Sequence, residues 1–423
     1  MRISFVTLGC KTNQYDAEAM RTSLARAGHE VNGSGRPYDA VVVSACAVTG
    51  AACAQARQAI RQAARQRPKP FLVVVGCYPQ VEARDVAGIE GVDLVLGTAE
   101  KSRLREILER GLRGTFVADI RSLDCYDDSR VEGLSGHTRA FVKVQEGCDQ
   151  ACAYCIVPRA RGRARRRMLS SIREEAEGLV ERNYREIVLT GTHLDEESVL
   201  QALSELEEMP GLRRLRVSSL DPNEVSERLL SHIASSKICC RHLHIAVQSG
   251  DDGVLERMRR PYARRDVFRL MERIRAVLGE EVGIGSDFLV GFPGEDEMAF
   301  DQTYRLIDEM PFTYLHLFPF SPRPGTAASA MRPIVPQAKT RERLGVLKEL
   351  DERKKRIFQE RFLERDVDVL VEHRRESGRG WLTGLTDHYL RVFFQGADSI
   401  QGSFMTVRVT ELNDRGLIGR AKD

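Results

Sequence analysis

The segment Cys148-Asp-Gln-Ala-Cys152-Ala-Tyr-Cys155 closely follows the apolar run Ala140–Val144. Cysteines spaced by four and three residues can present three thiolates from one tight loop, and three thiolates hold three corners of a 4Fe–4S cluster. The fourth iron stays open, and an open metal position is where a substrate or cofactor binds. Structural zinc or plain buried thiols are the alternative, but no second CxxC or HxxxH lies nearby to complete a zinc site.

Six apolar runs, beginning just before this loop, alternate with helix-like stretches. The runs are Ala140–Val144, Glu186–Thr190, Leu215–Ser218, His242–Val247, Gly283–Val290 and Tyr314–Phe320. This alternation predicts parallel strands joined by helices. Six such units predict a partial (β/α)6 barrel over residues 137–358. The cysteine loop then lies at the mouth of the barrel, where the carboxyl ends of the strands carry the chemistry.

The chain on either side of this barrel has a different pattern. Before it, four apolar runs alternate with helical stretches and predict a parallel α/β domain over residues 1–115, followed by a polar linker at residues 116–136. After it, short β-like runs separated by Gly and charged turns predict a small β-barrel over residues 359–423. The predicted fold class is α/β, with three domains in 423 residues.

The composition excludes several classes of protein. An apolar fraction of 42% and a charged fraction of 30% are those of a globular chain and exclude disorder. The formal net charge of +3 means that any nucleic-acid binding depends on a local patch. The sequence contains no apolar run long enough to span a membrane and no signal peptide, so we expect a cytoplasmic protein without a membrane partner.

A second set of three cysteines is spread over the first domain. Cys10, Cys46 and Cys77 each follow a predicted strand. The carboxyl ends of parallel strands converge on one crevice, so these thiols would form a second three-thiolate site. The alternative is that small buried cysteines simply suit strand ends.

The residues around these cysteines carry a family resemblance. They read Gly9-Cys10-Lys11-Thr12-Asn13, Ser44-Ala45-Cys46-Ala47-Val48-Thr49 and Val75-Gly76-Cys77-Tyr78-Pro79-Gln80. With the CxxxCxxC loop and the stretches Asp287–Glu295 and Ser321–Thr326, the chain resembles the methylthiotransferase family of radical S-adenosylmethionine enzymes over essentially its whole length. The resemblance implies two 4Fe–4S clusters and S-adenosylmethionine as cofactors. Cys148, Cys152 and Cys155 would hold the cluster that binds S-adenosylmethionine, and Cys10, Cys46 and Cys77 the auxiliary one.

The same resemblance implies a reaction. Lys11 and Ala47-Val48-Thr49 are similar to the branch that acts on N6-threonylcarbamoyladenosine (t6A), whereas the isopentenyladenosine branch usually has Gln at the Lys11 position. The expected reaction places a methylthio group on C2 of t6A at position 37 of tRNA. Alternatives are isopentenyladenosine, a ribosomal-protein aspartate, or a non-catalytic iron–sulfur protein that binds RNA. Structural clusters usually fill all four corners, so incomplete triads disfavour the last alternative.

The resemblance also implies partners. The terminal β-barrel looks like a TRAM domain, an RNA-binding module, and the tRNA anticodon loop is the expected substrate. From Phe358 onward the chain has ten Lys+Arg and eleven Asp+Glu, so RNA binding there needs a one-sided patch. We expect a monomer that receives electrons from a reductant such as flavodoxin or ferredoxin.

Further residues are candidates for contacts around the cofactors. By resemblance, the S-adenosylmethionine pocket is lined by Tyr154, Gly191, Ser219, Gln248 and Asp287. Ordinary turn chemistry at strand ends is the alternative for these positions. In the family an Asn- and Gly-rich stretch usually follows the second barrel strand, whereas here Leu194 is followed by the acidic run Asp195-Glu196-Glu197.

The most basic stretch of the chain follows the cysteine loop. Its arginines are Arg159, Arg161, Arg163, Arg165, Arg166 and Arg167. At the mouth of the barrel they could neutralise RNA phosphates, so we predict that they contact RNA. A solvated run of charge is the alternative.

Several cysteines and histidines match no ligand position. Cys53, Cys125, Cys239 and Cys240 are outside both triads, and we expect core packing for Cys53 and for Cys239-Cys240. His242 and His244 share one face of a strand, which favours a buried hydrogen-bonded pair over a metal site.

Overall fold

The first sheet of this computed structural model, which describes residues 1–33 and 37–422, has six parallel strands. The strands are β1 (Arg2–Thr7), β2 (Glu30–Val31), β3 (Ala40–Ala45), β4 (Phe71–Gly76), β5 (Leu94–Leu96) and β6 (Gly114–Phe116), in the order β2-β1-β3-β4-β5-β6. The helices are α1 (Lys11–Arg26), α2 (Gly50–Ala64), α3 (Cys77–Val81), α4 (Ala83–Ala87) and α5 (Leu104–Glu109). Every residue of β3 is buried, as expected for a Val-rich central strand covered on both faces.

The central region contains nine strands and eight helices among the described residues. The strands are β7 (Ala140–Lys143), β8 (Gln145–Glu146), β9 (Arg165–Arg166), β10 (Glu186–Thr190), β11 (Arg214–Val217), β12 (Ser219–Leu220), β13 (His242–Gln248), β14 (Gly283–Val290) and β15 (Tyr314–Pro319). The helices are α6 (Val157–Arg161), α7 (Leu169–Glu181), α8 (Glu196–Leu206), α9 (Glu227–Ser235), α10 (Asp252–Arg257), α11 (Arg264–Leu278), α12 (Glu297–Glu309) and α13 (Gln337–Glu360).

These strands form two parallel sheets rather than one. The first has the order β11-β10-β7 and the second β12-β13-β14-β15, while β8 and β9 pair separately. The predicted third strand, Leu215–Ser218, corresponds to β11, and the chain continues after Ser218 as the short strand β12, which belongs to the other sheet. The partial (β/α)6 barrel is confirmed, with this division as its one departure from six continuous strands.

The C-terminal region is a closed barrel of five strands. These are β16 (Asp366–Arg375), β17 (Leu382–Thr386), β18 (Arg391–Phe394), β19 (Phe404–Asn413) and β20 (Gly416–Ala421), in the order β16-β17-β18-β20-β19. Its core includes Phe358 from the end of α13 as well as inward residues of the strands such as Val369 and Val407. This is the small β-barrel that the sequence predicts, with β20 as a strand that its pattern did not reveal.

Two arginines on β11 join the central barrel to the C-terminal barrel. Arg216 is fully buried, pairs with Glu186 (Nε–Oε1, 2.8 Å) and donates to the carbonyl oxygens of Thr386 and Asp387, each at 3.0 Å. Arg214 donates to the carbonyl oxygen of Leu385 at 2.9 Å. These bonds satisfy both buried cations and attach one barrel to the other.

The predicted domain boundaries stay a proposal. Strand β6 ends at Phe116 and β7 begins at Ala140, whereas α13 continues past residue 358 to Glu360. Within the described residues, no helix combines the length and the apolar character needed to cross a membrane.

The acidic run after Leu194 has a local structural role. Asp195 is the N-cap of α8, where its side chain accepts from the Ser198 N–H, and Glu196 and Glu197 occupy the first turn. Carboxylates at this end of a helix are stabilised by the helix dipole. The short connection after β10 therefore leads directly into helix α8.

Candidate functional site

The three cysteines of the first domain lie together, as their positions after β1, β3 and β4 predict. These strands are neighbours in the sheet. The pKa of the Cys77 thiol is raised to about 12, mainly by burial; Arg161 opposes this rise, and the neighbouring thiols of Cys46 and Cys10 add to it. Cys10 is exposed and the other two are buried. The structure thus forms one three-thiol site, here called the auxiliary triad, with a single exposed member.

A glycine before Cys10 allows this approach. Gly9 has φ +112°, and a Cβ at this position would lie 2.6 Å from the Cys46 Cβ. Any other residue would be strained and would push the two cysteines apart.

A buried ionic network lies beside the auxiliary triad and has more cations than anions. Its members are Lys101, Lys143, Arg161, Asp16 and Glu146. Arg161 contacts Asp16 at 2.9 Å and Glu146 at 2.7 Å. Burial would lower the pKa of Arg161, but Cys77, Asp16 and Glu146 outweigh it and hold that pKa well above its ordinary value. Three cations face two carboxylates, so one positive charge is left to balance nearby thiolates.

The contiguous cysteine loop, here called the loop triad, follows β8. Backbone N–H groups two residues further on are directed at two of its sulfurs: Gln150 N–H at Cys148 Sγ (3.4 Å) and Val157 N–H at Cys155. Burial raises the pKa of Cys148 to about 11 and that of Cys155 to about 12. N–H donors at the sulfurs favour thiolates once a metal binds.

Arg260, far away in sequence, completes the surroundings of the loop triad. Its Nη1 donates to Cys152 Sγ at 3.1 Å, and its Nη2 pairs with Asp221. The loop backbone is attached to the same segment, since Ala153 N–H donates to the Met258 carbonyl oxygen at 2.9 Å. The loop is therefore fixed by the region between β13 and α11.

One short helix connects the two triads. Helix α6 begins at Val157, two residues after Cys155, and ends at Arg161, beside the auxiliary triad. Ile156 and Ala160 pack in the same core as Cys77. Five helical residues span about 7.5 Å, so the connection between the two thiol sites is short.

Comparisons with known proteins place this architecture in a family. Residues 2–97 match the model described as "Uncharacterized protein family UPF0004", and residues 142–307 match "Radical SAM superfamily". The chain is similar to the threonylcarbamoyladenosine tRNA methylthiotransferase MtaB of Aquifex aeolicus, with 35% identity over 408 residues, 94% of this chain and 97% of the relative. The chain belongs to the radical S-adenosylmethionine methylthiotransferase family.

Two further similarities extend this result. A tRNA-2-methylthio-N(6)-dimethylallyladenosine synthase of Cereibacter sphaeroides is 35% identical over 430 residues, 98% of this chain and 97% of the relative. The radical S-adenosylmethionine methyltransferase TsrM of Kitasatospora setae has a similar fold, with a TM-score of 0.58, 16% identity, and coverage of 78% of this chain and 77% of that one. Because relatives with different named substrates are equally identical, identity alone does not select the base that this methylthiotransferase modifies.

Family membership confirms the predicted cofactors of the methylthiotransferase, two 4Fe–4S clusters and S-adenosylmethionine. The residues present fit them. Each triad offers three soft ligands, and a buried Arg161 Nη2 with no hydrogen-bond acceptor among the described residues lies on the auxiliary side. The assignment of the six cysteines as ligands stays a prediction.

Four of the five residues predicted for the S-adenosylmethionine pocket lie at different depths in the barrel; Asp287 is described separately below. Gly191 follows β10, Gln248 ends β13 with φ +70°, and Tyr154 in the cysteine loop packs edge-on against Phe292, with centroids 6.5 Å apart. Ser219 lies one level below and bonds His244 Nδ1 at 2.8 Å. Their role in binding the cofactor stays a prediction.

Asp287 lies inside the barrel on β14 and contacts two histidines. Its Oδ1 is 3.2 Å from His316 Nδ1 and 3.4 Å from His244 Nε2. Burial lowers the pKa of His244 to about 4. His242 is also buried, and its Nε2 is 2.9 Å from the Tyr314 hydroxyl. The two strand histidines are hydrogen-bonded, as predicted, but to other residues rather than to each other.

The structure corrects the prediction for half of the basic run. Arg161, Arg165 and Arg167 are buried, and none of them is available to RNA. Their partners are internal: Arg167 pairs with Glu175, and Arg165 donates to the carbonyl oxygens of Arg161 and Arg163.

The other three arginines of the run are exposed but already have partners. Arg159 donates to the Pro324 carbonyl oxygen at 2.5 Å, Arg163 is 4.0 Å from Asp149, and Arg166 pairs with Asp195 at 2.7 Å. RNA contact by these three stays a prediction. The sequence pattern shows the charge of the run, but the buried carboxylates that pair with Arg161 and Arg167 come from other segments of the chain.

Proposed function

We propose that this methylthiotransferase adds a methylthio group to C2 of N6-threonylcarbamoyladenosine at position 37 of tRNA, in the cytoplasm, as a monomer reduced by a flavodoxin or ferredoxin. The observation that carries the proposal is the pair of three-thiol sites joined by α6 in a chain that matches tRNA methylthiotransferases along nearly its whole length. One site is needed for radical formation and the other for sulfur, and a substrate base has to reach both.

The residues of the chain prepare this chemistry by orientation and charge. When bound at the loop-triad cluster, one molecule of S-adenosylmethionine would supply a 5′-deoxyadenosyl radical, a second molecule would supply the methyl group, and the auxiliary cluster would supply sulfur. Cys148, Cys152 and Cys155 would hold the first cluster, with Arg260 orienting Cys152. Cys10, Cys46 and Cys77 would hold the second, with Arg161 balancing their negative charge. The Gln145 Oε1 atom accepts hydrogen bonds from the Thr192 and His193 N–H groups, at 3.1 and 3.0 Å, and so fixes the loop after β10 at the mouth of the barrel.

The interior of the barrel supports a substrate that carries a negative charge. Lys11 directly follows Cys10, and its surroundings are Tyr389, Arg139, Arg216 and Asp287. Burial lowers the pKa of Lys11, and Arg139 and Arg216 lower it further, while Tyr389 and Asp287 raise it. Within the part of the chain that the structure describes, neither Lys11 nor Arg139 has a carboxylate within 4 Å.

This charge distribution favours t6A over N6-dimethylallyladenosine. The threonylcarbamoyl group ends in a carboxylate, which would satisfy two cations without ion pairs. A dimethylallyl group is apolar and would leave the same cations unpaired in a partly dehydrated site. Arg216 is already engaged by Glu186, so Lys11 and Arg139 are the cations available for a substrate carboxylate.

The test uses two anticodon stem-loops that are identical except for t6A or N6-dimethylallyladenosine at position 37. We expect the reconstituted enzyme to give methylthio product from the t6A strand and at least tenfold less from the other. Nucleoside analysis of tRNA from a deletion strain should show t6A in place of its methylthio derivative. Product from the dimethylallyl strand alone would contradict the proposal.

A pair of variants tests the role of the charge at position 11. Lys11→Gln should lower kcat/KM for the t6A strand by about tenfold or more, since one charged contact contributes about 1.5–3 kcal/mol. Lys11→Arg keeps the charge and should retain much of the activity. Cleavage of S-adenosylmethionine without RNA serves as the control and should be unchanged in both.

A further inference from the structure

A basic groove lies in the first domain, and none of the six triad cysteines lines it. Its volume is about 1120 Å³, and it runs between α2 and the segment after α4. Five of its lining residues are cations, namely Arg57, Arg61, Arg65, Arg67 and Lys69, and two are acidic, Asp85 and Glu90, so five positive charges face two negative ones. The whole cavity, with these lining residues, is called the α2 groove.

The sequence concentrates positive charge in this part of the chain. Between Asp39 and Glu82 it contains no acidic residue, and all of the cations in that interval are those of the α2 groove. Arg57, Arg61 and Arg65 are spaced by four residues, so they lie along one face of α2 and the residue that ends it. They are about 6 Å apart along the helix axis and cover about 12 Å.

The arginines of the groove lack the ion pairs that other arginines of the same domain make. Arg103 and Arg110 each pair with Glu106 at 3.1 Å. In contrast, within residues 1–33 and 37–422 no carboxylate lies within 4 Å of Arg61 or Arg65.

The remaining cations of the groove are held without neutralising most of their charge. Arg57 donates to the Tyr78 hydroxyl at 3.1 Å, and Arg67 donates to the carbonyl oxygens of Ala64 and Gln66 at 3.3 and 2.9 Å. Among these five cations, and counting carboxylates of the described residues, Lys69 alone makes an ion pair, with Asp93 at 3.3 Å.

The upper end of the groove adjoins the auxiliary triad. Tyr78 directly follows Cys77, and its hydroxyl is the acceptor for Arg57 at the start of the basic row. Arg65 and Arg67 lie beyond the end of α2, on the side away from the cysteines. A polyanion lying in the groove would therefore lead towards the auxiliary triad.

We propose that the α2 groove binds the phosphate backbone of the RNA substrate next to the modified base. This inference rests on the proposed function, since it takes tRNA as the substrate. Guanidinium groups bind phosphate oxygens through paired N–H donors, and phosphate contacts fix the register of a nucleic acid without reading its sequence. A row of cations in an open groove suits an extended polyanion better than a small anion, which needs an enclosed pocket.

The experiment compares two triple variants that remove the same charge. The groove variant combines Arg61→Gln, Arg65→Gln and Arg67→Gln, and it removes unpaired cations of the groove. The control variant combines Arg103→Gln, Arg110→Gln and Arg113→Gln, because these residues are paired with Glu106 or Asp93. Affinity for the substrate tRNA is measured at several KCl concentrations with fully reconstituted protein.

We expect the groove variant to bind tRNA at least tenfold more weakly at low salt. The slope of log affinity against log salt should be smaller by about 2–3, since each lost phosphate contact contributes about 0.7–0.9. The control should stay within about threefold of the unmodified protein. Equal changes in the two variants, or an unchanged slope in the groove variant, would overturn the inference. Loss of poly-glutamate binding with unchanged tRNA binding would assign the groove to an acidic protein and overturn it as well.

Turnover separates this inference from the proposed function. The groove variant should have a raised KM for tRNA with kcat retained, because the triads are untouched. If the unmodified enzyme yields no methylthio product while tRNA binding still depends on the groove, the proposed function fails and the inference stands. If the enzyme is active and the variant binds normally, the inference alone fails.

Discussion

Both cysteine triads bring three thiols together, but their cysteines come from different kinds of segment. Cys148, Cys152 and Cys155 come from one loop and depend on Arg260, whereas the auxiliary triad is assembled from the ends of β1, β3 and β4. A contiguous loop keeps its spacing even when the surrounding fold loosens. A triad assembled from three strands exists only while the sheet is intact, so its formation reports folding of the first domain.

The charges around the triads differ as well. The auxiliary triad borders a buried network with three cations and two carboxylates, while Arg260 at the loop triad is paired with Asp221. The auxiliary triad is therefore built to accept negative charge, and the protein without clusters carries an unbalanced positive charge on that side.

Removing the loop triad should have the largest effect. Replacing Cys148, Cys152 and Cys155 by Ala should abolish S-adenosylmethionine cleavage and remove about half of the iron, since a site without thiolates holds no cubane. Iron analysis and detection of 5′-deoxyadenosine check this outcome. Full iron content in the variant would show that the loop is not a ligand set.

Removing the auxiliary triad should separate the two functions. With Cys10, Cys46 and Cys77 replaced by Ala, cleavage of S-adenosylmethionine should persist while methylthio product falls below detection. The matched control is Cys53→Ala, which removes a buried thiol of the same domain that lies outside the triad. Product at the unmodified yield would mean that sulfur comes from elsewhere.

The charge imbalance gives a smaller, graded effect on stability. In cluster-free protein, Glu146→Gln leaves three cations facing Asp16 alone and should lower the free energy of unfolding by about 3–5 kcal/mol. Arg161→Gln leaves two cations and two carboxylates, so it should cost less, while weakening iron retention at the auxiliary triad. Urea unfolding and the rate of iron loss measure the two effects. The reverse order of the two costs would refute an excess of positive charge.

Alkylation of the cluster-free protein should show the smallest difference. At pH 8 the exposed Cys10 should react with iodoacetamide much faster than Cys77 or Cys155, whose pKa values burial raises to about 12. Their labelling should accelerate about tenfold for each unit of rising pH below that value, because only the thiolate reacts. Exposed Cys125 is the control, and mass spectrometry follows each site. Labelling of Cys77 as fast as Cys125 would contradict its burial.

Sequence patterns predicted the features that local chemistry controls. Glu186–Thr190 and Gly283–Val290 are strands with the predicted bounds, because runs of β-branched and apolar residues between turns leave few alternatives. The grouping of Cys10, Cys46 and Cys77 followed from strand ends alone, since parallel strands align their carboxyl ends.

Features that depend on distant pairing could not be predicted. Arg161 belongs to a basic run, and only the fold brings Asp16 and Glu146 to it. Arg260 and Cys152 are likewise joined through the tertiary structure. The α2 groove had a sequence signal, the absence of acidic residues between Asp39 and Glu82, but whether its arginines are unpaired depends on how the helices pack.

The attachment of the two barrels has a consequence for the order in which the protein matures. Arg216 is synthesised well before Thr386 and Asp387, whose carbonyl groups accept its hydrogen bonds. Tyr389, which stacks on His242 with centroids 4.6 Å apart, comes equally late. On the ribosome, the first domain can form its sheet and bring its cysteines together while the amino ends of the barrel strands still lack these contacts. The auxiliary triad can thus form before Thr386–Tyr389 are synthesised, whereas the floor of the barrel closes only after those residues have left the ribosome.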